Sequence, residues 1–123
     1  MIEEFRDIPG YEGLYQISNL GNVKSLHYNK SNRQVILKPR MSRHGYCRVG
    51  LHLKGKSKDF YIHRLVANAF LDNPNNLSDI NHKDEDKTNN CVDNLEWLSH
   101  KENMNYGTIK QRISATLKKK RVS

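Results

Sequence analysis

Alternating apolar and polar residues dominate the first half of the chain and predict two β-hairpins. Polar segments that contain Gly, at residues 19–22 and 54–57, separate the alternating runs and predict the hairpin turns. In the second hairpin one side of the first strand should pack inward, while Arg48 and His52 face outward. The predicted strands are residues 14–18, 23–26, 35–37, 46–53 and 60–62.

The hydrophobic period changes after residue 62, and this change predicts a helix. Apolar residues recur at helical spacing in HRLVANAF, and Pro74 follows closely and ends the element. Two short strands, at 80–82 and 94–98, are then predicted on either side of a polar loop. Asn89 and Asn90 are expected to form turns within this loop.

A helix is predicted after the second of these strands. Ser99 and Glu102 have the spacing of a capping box, so this helix should begin at Ser99 and run through Asn103 toward Gly107. The chain ends in a basic segment whose apolar residues form a narrow stripe, namely Ile109, Ile113 and Leu117.

Composition narrows the class of partner. With 123 residues, the chain has room for one domain or two very small ones. A formal net charge of +8, a sequence pI near 9.6 and a mean hydropathy of −0.86 favour a polyphosphate partner. No long apolar run or signal-peptide pattern is present, so no membrane segment is expected. Cys47 and Cys91 lie far apart without a CxxC partner, which favours neither a disulfide nor a zinc site.

Charge is distributed unevenly along the chain. Between Glu12 and Asp59 there is no acidic residue but many Lys and Arg. In residues 72–102, by contrast, Asp and Glu outnumber Lys and Arg. The basic stretch is suited to binding nucleic acid, and the acidic stretch after it is suited to binding a metal ion. We expect contacts to the DNA backbone or grooves from Arg33, Lys38, Arg40, Arg43, Tyr46, Arg48, Lys54, Lys56 and His63.

Three segments of the second half resemble HNH endonucleases of the type encoded by phages and mobile introns, namely HRLVANAF, INHKDEDKTNN and NLEWLSHKEN. The front segment GYEGLYQISNLGNVKSL resembles the small nuclease-associated modular DNA-binding domain often fused ahead of such a nuclease. Together the resemblances cover roughly residues 5–106. They imply an α+β fold: a basic, β-hairpin-rich DNA-binding module at 1–59, a ββα-metal (His-Me finger) nuclease module at 60–107 and a basic tail at 108–123.

The resemblance also implies site roles. His82 takes the general-base position, Asn81 and Asn103 take metal-ligand positions, and Asn94 takes the middle position on the second strand, where it would fix the loop that holds His82. A histidine is mostly neutral at physiological pH and can accept a proton from water. Amide oxygens suit Mg²⁺ or Mn²⁺ better than zinc, and one such ion is expected.

One departure from the family pattern concerns charge at the metal position. Relatives often place a carboxylate or histidine beside the base, whereas Asn81 is neutral. The ion is therefore expected to bind weakly until the substrate phosphate joins it. Asp84 and Asp86 are candidates to assist.

The resulting hypothesis is a monomeric, metal-dependent endonuclease that nicks double-stranded DNA in the cytoplasm of a bacterium or phage-infected host. The main alternative is a catalytically weak or inactive DNA-binding protein that keeps the HNH architecture. An RNA-binding protein is a third possibility, compatible with the charge, but it leaves the grouping of His82 with three Asn residues unexplained.

Overall fold

A computed structural model describes residues 1–104, in which three antiparallel sheets surround one helix. The N-terminal sheet has the order β1-β2-β3-β4. Its strands are β1 (Phe5–Asp7), β2 (Tyr15–Ser18), β3 (Val23–Ser25) and β4 (Val35–Ile36). The strands at residues 15–18 and 23–25 confirm the first predicted hairpin, and a 3₁₀ turn at Tyr28–Lys30 leads toward β4.

The second sheet carries the longest strands. It consists of β5 (Arg40–Met41), β6 (Cys47–Leu53) and β7 (Lys56–Tyr61). Cys47, Val49 and Leu51 are buried on one side of β6, whereas Arg48 is half-buried and His52 is exposed. The predicted alternation of this strand is therefore confirmed.

The turn of this hairpin is shorter than predicted. Leu53 pairs with Lys56, so the turn consists of Lys54 and Gly55 alone. Both turn residues have positive φ, 52° and 77°, which gives the tight two-residue turn that matches strand twist. The prediction of a turn at 54–57 was wrong because the first residues of β7 are polar and exposed and resemble loop residues.

The second half contains α1 (Ile62–Phe70), β8 (Asp79–His82) and β9 (Leu95–Leu98), with a 3₁₀ turn at Val92–Asn94. β8 and β9 pair in antiparallel order. Residues 100–104 are helical. Ser99 Oγ accepts a hydrogen bond from the Glu102 N–H, and Glu102 Oε1 accepts one from the Ser99 N–H, both at 3.0 Å. These two bonds confirm the predicted capping box.

One hydrophobic core joins the two larger sheets, α1 and β9. Its buried members include Ile17 and Leu51 before the predicted boundary at residue 59, and Val66 and Leu95 after it. β7 also crosses that boundary and continues directly into α1. The first two predicted modules therefore share a core.

Helices within residues 1–104 lack the length and apolar character needed to cross a membrane. The predicted apolar stripe at Ile109, Ile113 and Leu117, the predicted tail at 108–123 and the end of the helix near Gly107 lie outside the described residues.

We predict that Leu51→Ala lowers the free energy of unfolding by about 3 kcal/mol, because it opens a cavity in the shared core. Urea denaturation followed by circular dichroism measures this change. The control is Leu20→Ala in an exposed turn, expected to change stability by less than about 0.5 kcal/mol. Two separate unfolding transitions in the wild type, only one of them shifted by Leu51→Ala, would contradict a shared core.

Candidate active site

Asn94 holds the loop between β8 and β9 together. Its Oδ1 accepts a hydrogen bond from the Asp84 N–H at 3.0 Å, and its Nδ2 donates to Asp84 Oδ1 at 2.8 Å and to the Asn89 carbonyl at 2.9 Å. Asn94 lies in the 3₁₀ turn before β9 rather than on the strand itself, one residue from the predicted position. From there its amide reaches across the loop, which a side chain within the β8–β9 ladder would not do.

The carboxylates of Asp84 and Asp86 serve the same loop. Asn89 Nδ2 and the Asp86 N–H donate to Asp84, and together with Asn94 they lower the pKa of its carboxyl. Thr88 donates to Asp86 through its hydroxyl at 2.6 Å and its N–H at 2.9 Å, and lowers the pKa of that carboxyl as well. Both candidate helpers for the ion are therefore already engaged in shaping the loop.

The His82 ring points toward the core side of β8. Only 5 % of the residue is exposed, and the ring centroid lies 5.1 Å from that of His63 and 6.1 Å from that of Tyr46. Nε2 lies 2.8 Å from Oδ1 of Asn90, a residue only 6 % exposed. Because a carbonyl oxygen only accepts hydrogen bonds, this contact requires a proton on Nε2, and in the neutral ring Nδ1 then keeps a lone pair.

His82 Nδ1 is not sealed in the core without a partner. Arg48 Nε is the one buried side-chain nitrogen or oxygen in residues 1–104 that lacks a hydrogen bond. Nδ1 of His82 is therefore not among the buried atoms that lack a hydrogen bond. A base function would depend on this nitrogen.

His63 was predicted to contact DNA, but the structure places it inside. It is 9 % exposed and packs between Tyr46, Tyr61 and His82. Burial, followed by the charges of His82 and Arg64, lowers the pKa of His63 to about 4. A neutral, enclosed imidazole supports the neighbouring ring rather than reaching a phosphate.

The two predicted metal ligands lie on the other side of β8. Asn81 Nδ2 donates to Glu96 Oε2 and Asn103 Nδ2 donates to Asp79 Oδ2, both at 3.1 Å. His100 Nδ1 lies 3.0 Å from the same Asp79 oxygen. Ser78, His100 and Asn103 lower the pKa of the Asp79 carboxyl through their hydrogen bonds.

These contacts bear directly on a cation. Each carboxylate holds the N–H₂ end of an amide, so the Oδ1 atoms of Asn81 and Asn103 stay available as ligands. Within residues 1–104 no group of three or more His, Cys, Asp or Glu side chains could hold a metal ion. The donor set therefore fits a weakly bound, oxygen-preferring ion such as Mg²⁺ or Mn²⁺ and does not fit zinc.

The structure divides the predicted site between two sides of one strand. Asn81 lies opposite Glu96 in the ladder, whereas His82 lies opposite the buried Leu95. Neighbouring residues of a strand point to opposite sides. Asn81 and Asn103 are thus brought to one side, and His82 lies on the other, at the end of β8.

Three residues of the site were missed in the sequence. Asp79 and Glu96 could have been found from strand periodicity, since Asp79 lies two residues before Asn81 and Glu96 lies opposite Asn81 in the ladder. Asn90 could not, because its contact with His82 depends on the folded loop.

The predicted DNA-contacting residues are mostly exposed. Two of them, Arg40 and Arg48, bind Asp59, at 2.5 Å and 3.8 Å. Gly50 leaves room for this ion pair, because a Cβ there would lie 3.2 Å from Asp59 Oδ1. The exposed members of the set are Arg33, Lys38, Arg40, Arg43, Lys54 and Lys56, and Arg48 and Tyr46 are half-buried.

Comparisons with known proteins identify relatives of both halves. Residues 3–52 match the family model described as the NUMOD4 motif. The chain is 42 % identical over 110 residues to DNA endonuclease I-HmuI of Bacillus phage SP01, covering 86 % of this chain and 60 % of that enzyme. H-N-H endonuclease F-TflII of Escherichia phage T5 is 36 % identical over 96 residues, covering 76 % of this chain and 47 % of that protein.

A solved structure supports the same relationship. It is described as "DNA binding and cleavage by the HNH homing endonuclease I-HmuI", and it matches with a TM-score of 0.71 and 39 % identity. The match covers 91 % of this chain and 66 % of that one. The chain thus spans about 60 % of the length of the phage SP01 relative.

We predict that the stability of the protein falls by about 3 kcal/mol between pH 6.5 and pH 4 because of His63. Its pKa is lower in the folded state, so the unfolded state binds the proton first and gains population as the pH drops. His63→Phe keeps a ring but removes this dependence, as denaturation at several pH values will show. His52→Phe, at an exposed site, is the control. Equal pH dependence in both variants would contradict the assignment.

Proposed function

We propose, from the premise that this chain carries the NUMOD4 motif and is homologous to the HNH homing endonucleases, that it is a metal-dependent endonuclease that nicks duplex DNA. One observation carries the proposal. The unit formed by β8, the loop, β9 and helical residues 100–104 holds two amide side chains by hydrogen bonds on one side of β8, and it holds His82, at the end of the same strand, by a hydrogen bond to Asn90.

Asn81 and Asn103 would hold the ion through Oδ1. When bound, a divalent ion neutralises charge on the phosphate and assists departure of the 3′ oxygen. Asp79 and Glu96 fix the two amides and add negative charge to that side of the strand, which offsets the neutral character of the ligands. This arrangement replaces the assistance expected from Asp84 and Asp86.

His82 acts as the general base. Its Nδ1 accepts the proton of the attacking water, while Nε2–H stays bound to Asn90 Oδ1. Because only 5 % of His82 is exposed, little bulk solvent reaches the residue. Asn94 keeps the loop beside His82 in place.

The exposed basic residues bind the DNA backbone, led by Lys54 and Lys56 at the tip of the second hairpin. Arg40 and Arg48 form ion pairs with Asp59 on the same sheet. With one such site, the chain works as a monomer and cuts one strand. Several relatives are encoded by phages or a bacterium, and on that ground we propose that the chain acts in the cytoplasm of a bacterium or phage-infected host.

A DNA-binding protein that does not cut is the second candidate. The enclosure of His82 and its position across the strand from Asn81 and Asn103 favour it, since a base must share a phosphate with the ion.

A plasmid-nicking assay with Mg²⁺ or Mn²⁺ separates the two candidates. We predict that His82→Ala lowers the nicking rate by about 10²-fold or more and leaves DNA affinity within twofold, because it removes only the base. His52→Ala, at an exposed site, is the control and should nick normally. A wild type that binds DNA but does not nick with either ion establishes the second candidate.

The exposed lysines of the second hairpin should make DNA affinity depend on salt concentration. We predict that Lys56→Ala lowers the slope of log affinity against log salt by about 1, because one phosphate contact is lost. Fluorescence anisotropy of a labelled duplex at several salt concentrations measures the slope. Lys101→Ala, on the acidic half of the chain, should leave the slope unchanged. A lower slope for Lys101→Ala and an unchanged slope for Lys56→Ala would place the DNA-binding surface on the second half of the chain.

A further inference from the structure

We infer that Asn90 is the positioning residue of His82, and that the turn at residues 19–22 of the N-terminal sheet holds Asn90 in place. This inference rests on the proposed role of His82 as general base. It makes the NUMOD4 portion of the chain a part of the catalytic support as well as a grip on DNA.

The contact between the two side chains is short and enclosed. Asn90 Oδ1 lies 2.8 Å from His82 Nε2, and both residues are buried. A buried hydrogen bond of this kind selects one tautomer and one ring orientation, because the alternative leaves polar atoms unsatisfied. Asn90 thus keeps the lone pair on Nδ1, the nitrogen that a water molecule would meet.

Gly21, in the turn between β2 and β3, packs closely against Asn90. A Cβ at Gly21 would lie 3.0 Å from Asn90 Cβ and 3.2 Å from its carbonyl oxygen, so a larger residue at position 21 would have to displace Asn90. The φ of Gly21 is +90°, which also favours Gly. Two residues after Asn90, the Val92 N–H donates to the Asn19 carbonyl at 2.8 Å.

Asn19 ties this turn to the start of the chain. Its Oδ1 accepts from the Glu4 N–H at 2.8 Å, and its Nδ2 donates to the Ile2 carbonyl at 3.0 Å. Asn19 is itself buried. A continuous set of hydrogen bonds and packing contacts therefore runs from residues 2–4, before β1, through the turn to Asn90 and the His82 ring.

Other titratable groups near the His82 ring do not compete for Nε2. His63 on α1 is neutral at physiological pH and contacts the ring face, as does Tyr46 before β6. Asp84 and Asp86 in the loop are held by Asn89 and Thr88. Lys87 of the same loop lies over the Tyr46 ring at 4.7 Å and donates to the His44 carbonyl.

The first test measures the tautomer of the His82 imidazole. Long-range ¹H–¹⁵N spectra of the imidazole, recorded on the full chain, should show the Nε2–H tautomer for His82 in the wild type. Asn90→Ala should lose this preference, with backbone spectra confirming that the variant is folded. An unchanged tautomer in folded Asn90→Ala overturns the inference, whether or not the wild type nicks DNA.

The second test uses the pH profile of nicking. Asn90→Ala should slow nicking by about 10²-fold at unchanged DNA affinity, because the base is misplaced. Asn90→Asp keeps an acceptor and adds a negative charge, so it should recover most of the rate with the acidic limb of the profile shifted up by about one pH unit. Equal profiles for Asn90→Asp and the wild type overturn the inference.

The third test uses two glycines with similar backbone angles. Gly21→Ala should slow nicking by about 10-fold or more and disturb the His82 tautomer. Gly10→Ala carries comparable strain at φ +86°, but its Cβ would meet nothing within 4 Å, so it should do neither. Equal effects of the two substitutions overturn the role of the turn. A wild type with the expected tautomer and no nicking instead supports the contact and contradicts the proposed function.

Discussion

Amide side chains in an enclosed environment must satisfy both their donors and their acceptors, and this constraint organises the centre of the molecule. Asn94 meets it with three hydrogen bonds across the β8–β9 loop. Asn19 meets it by joining the first residues of the chain to the turn that touches Asn90. Both amides bind backbone groups of other segments, so they fix the course of the chain around the site.

Carboxylates lie near both parts of the candidate site. Asp79 and Glu96 hold Asn103 and Asn81 on one side of β8, where their charge would favour a cation. Around His82 the nearest contacts are the Asn90 amide and the rings of Tyr46 and His63, and the loop carboxylates of Asp84 and Asp86 interact with the ring through their charge. The strand thus separates the candidate metal ligands from the histidine.

Local patterns were enough to predict the hairpins, the helix after residue 62 and the capping box, because each depends on spacing within a few residues. The two-residue turn at Lys54–Gly55 was missed because a polar, exposed strand looks like a loop. The burial of His63 and Asn90 was missed for another reason. Both depend on contacts between segments far apart in the chain, which residue type and periodicity do not encode.

β7 passes into α1 without a linker, and the same core lies beneath both. The sheet that carries Lys54 and Lys56 and the helix beside β8 therefore pack on one core. Under the proposed function, this shared packing would set a constant offset, counted in base pairs, between the phosphates that are bound and the bond that is cut. Lengthening the β7–α1 junction would make that offset variable, and DNA bound in one position would then be nicked at several neighbouring bonds.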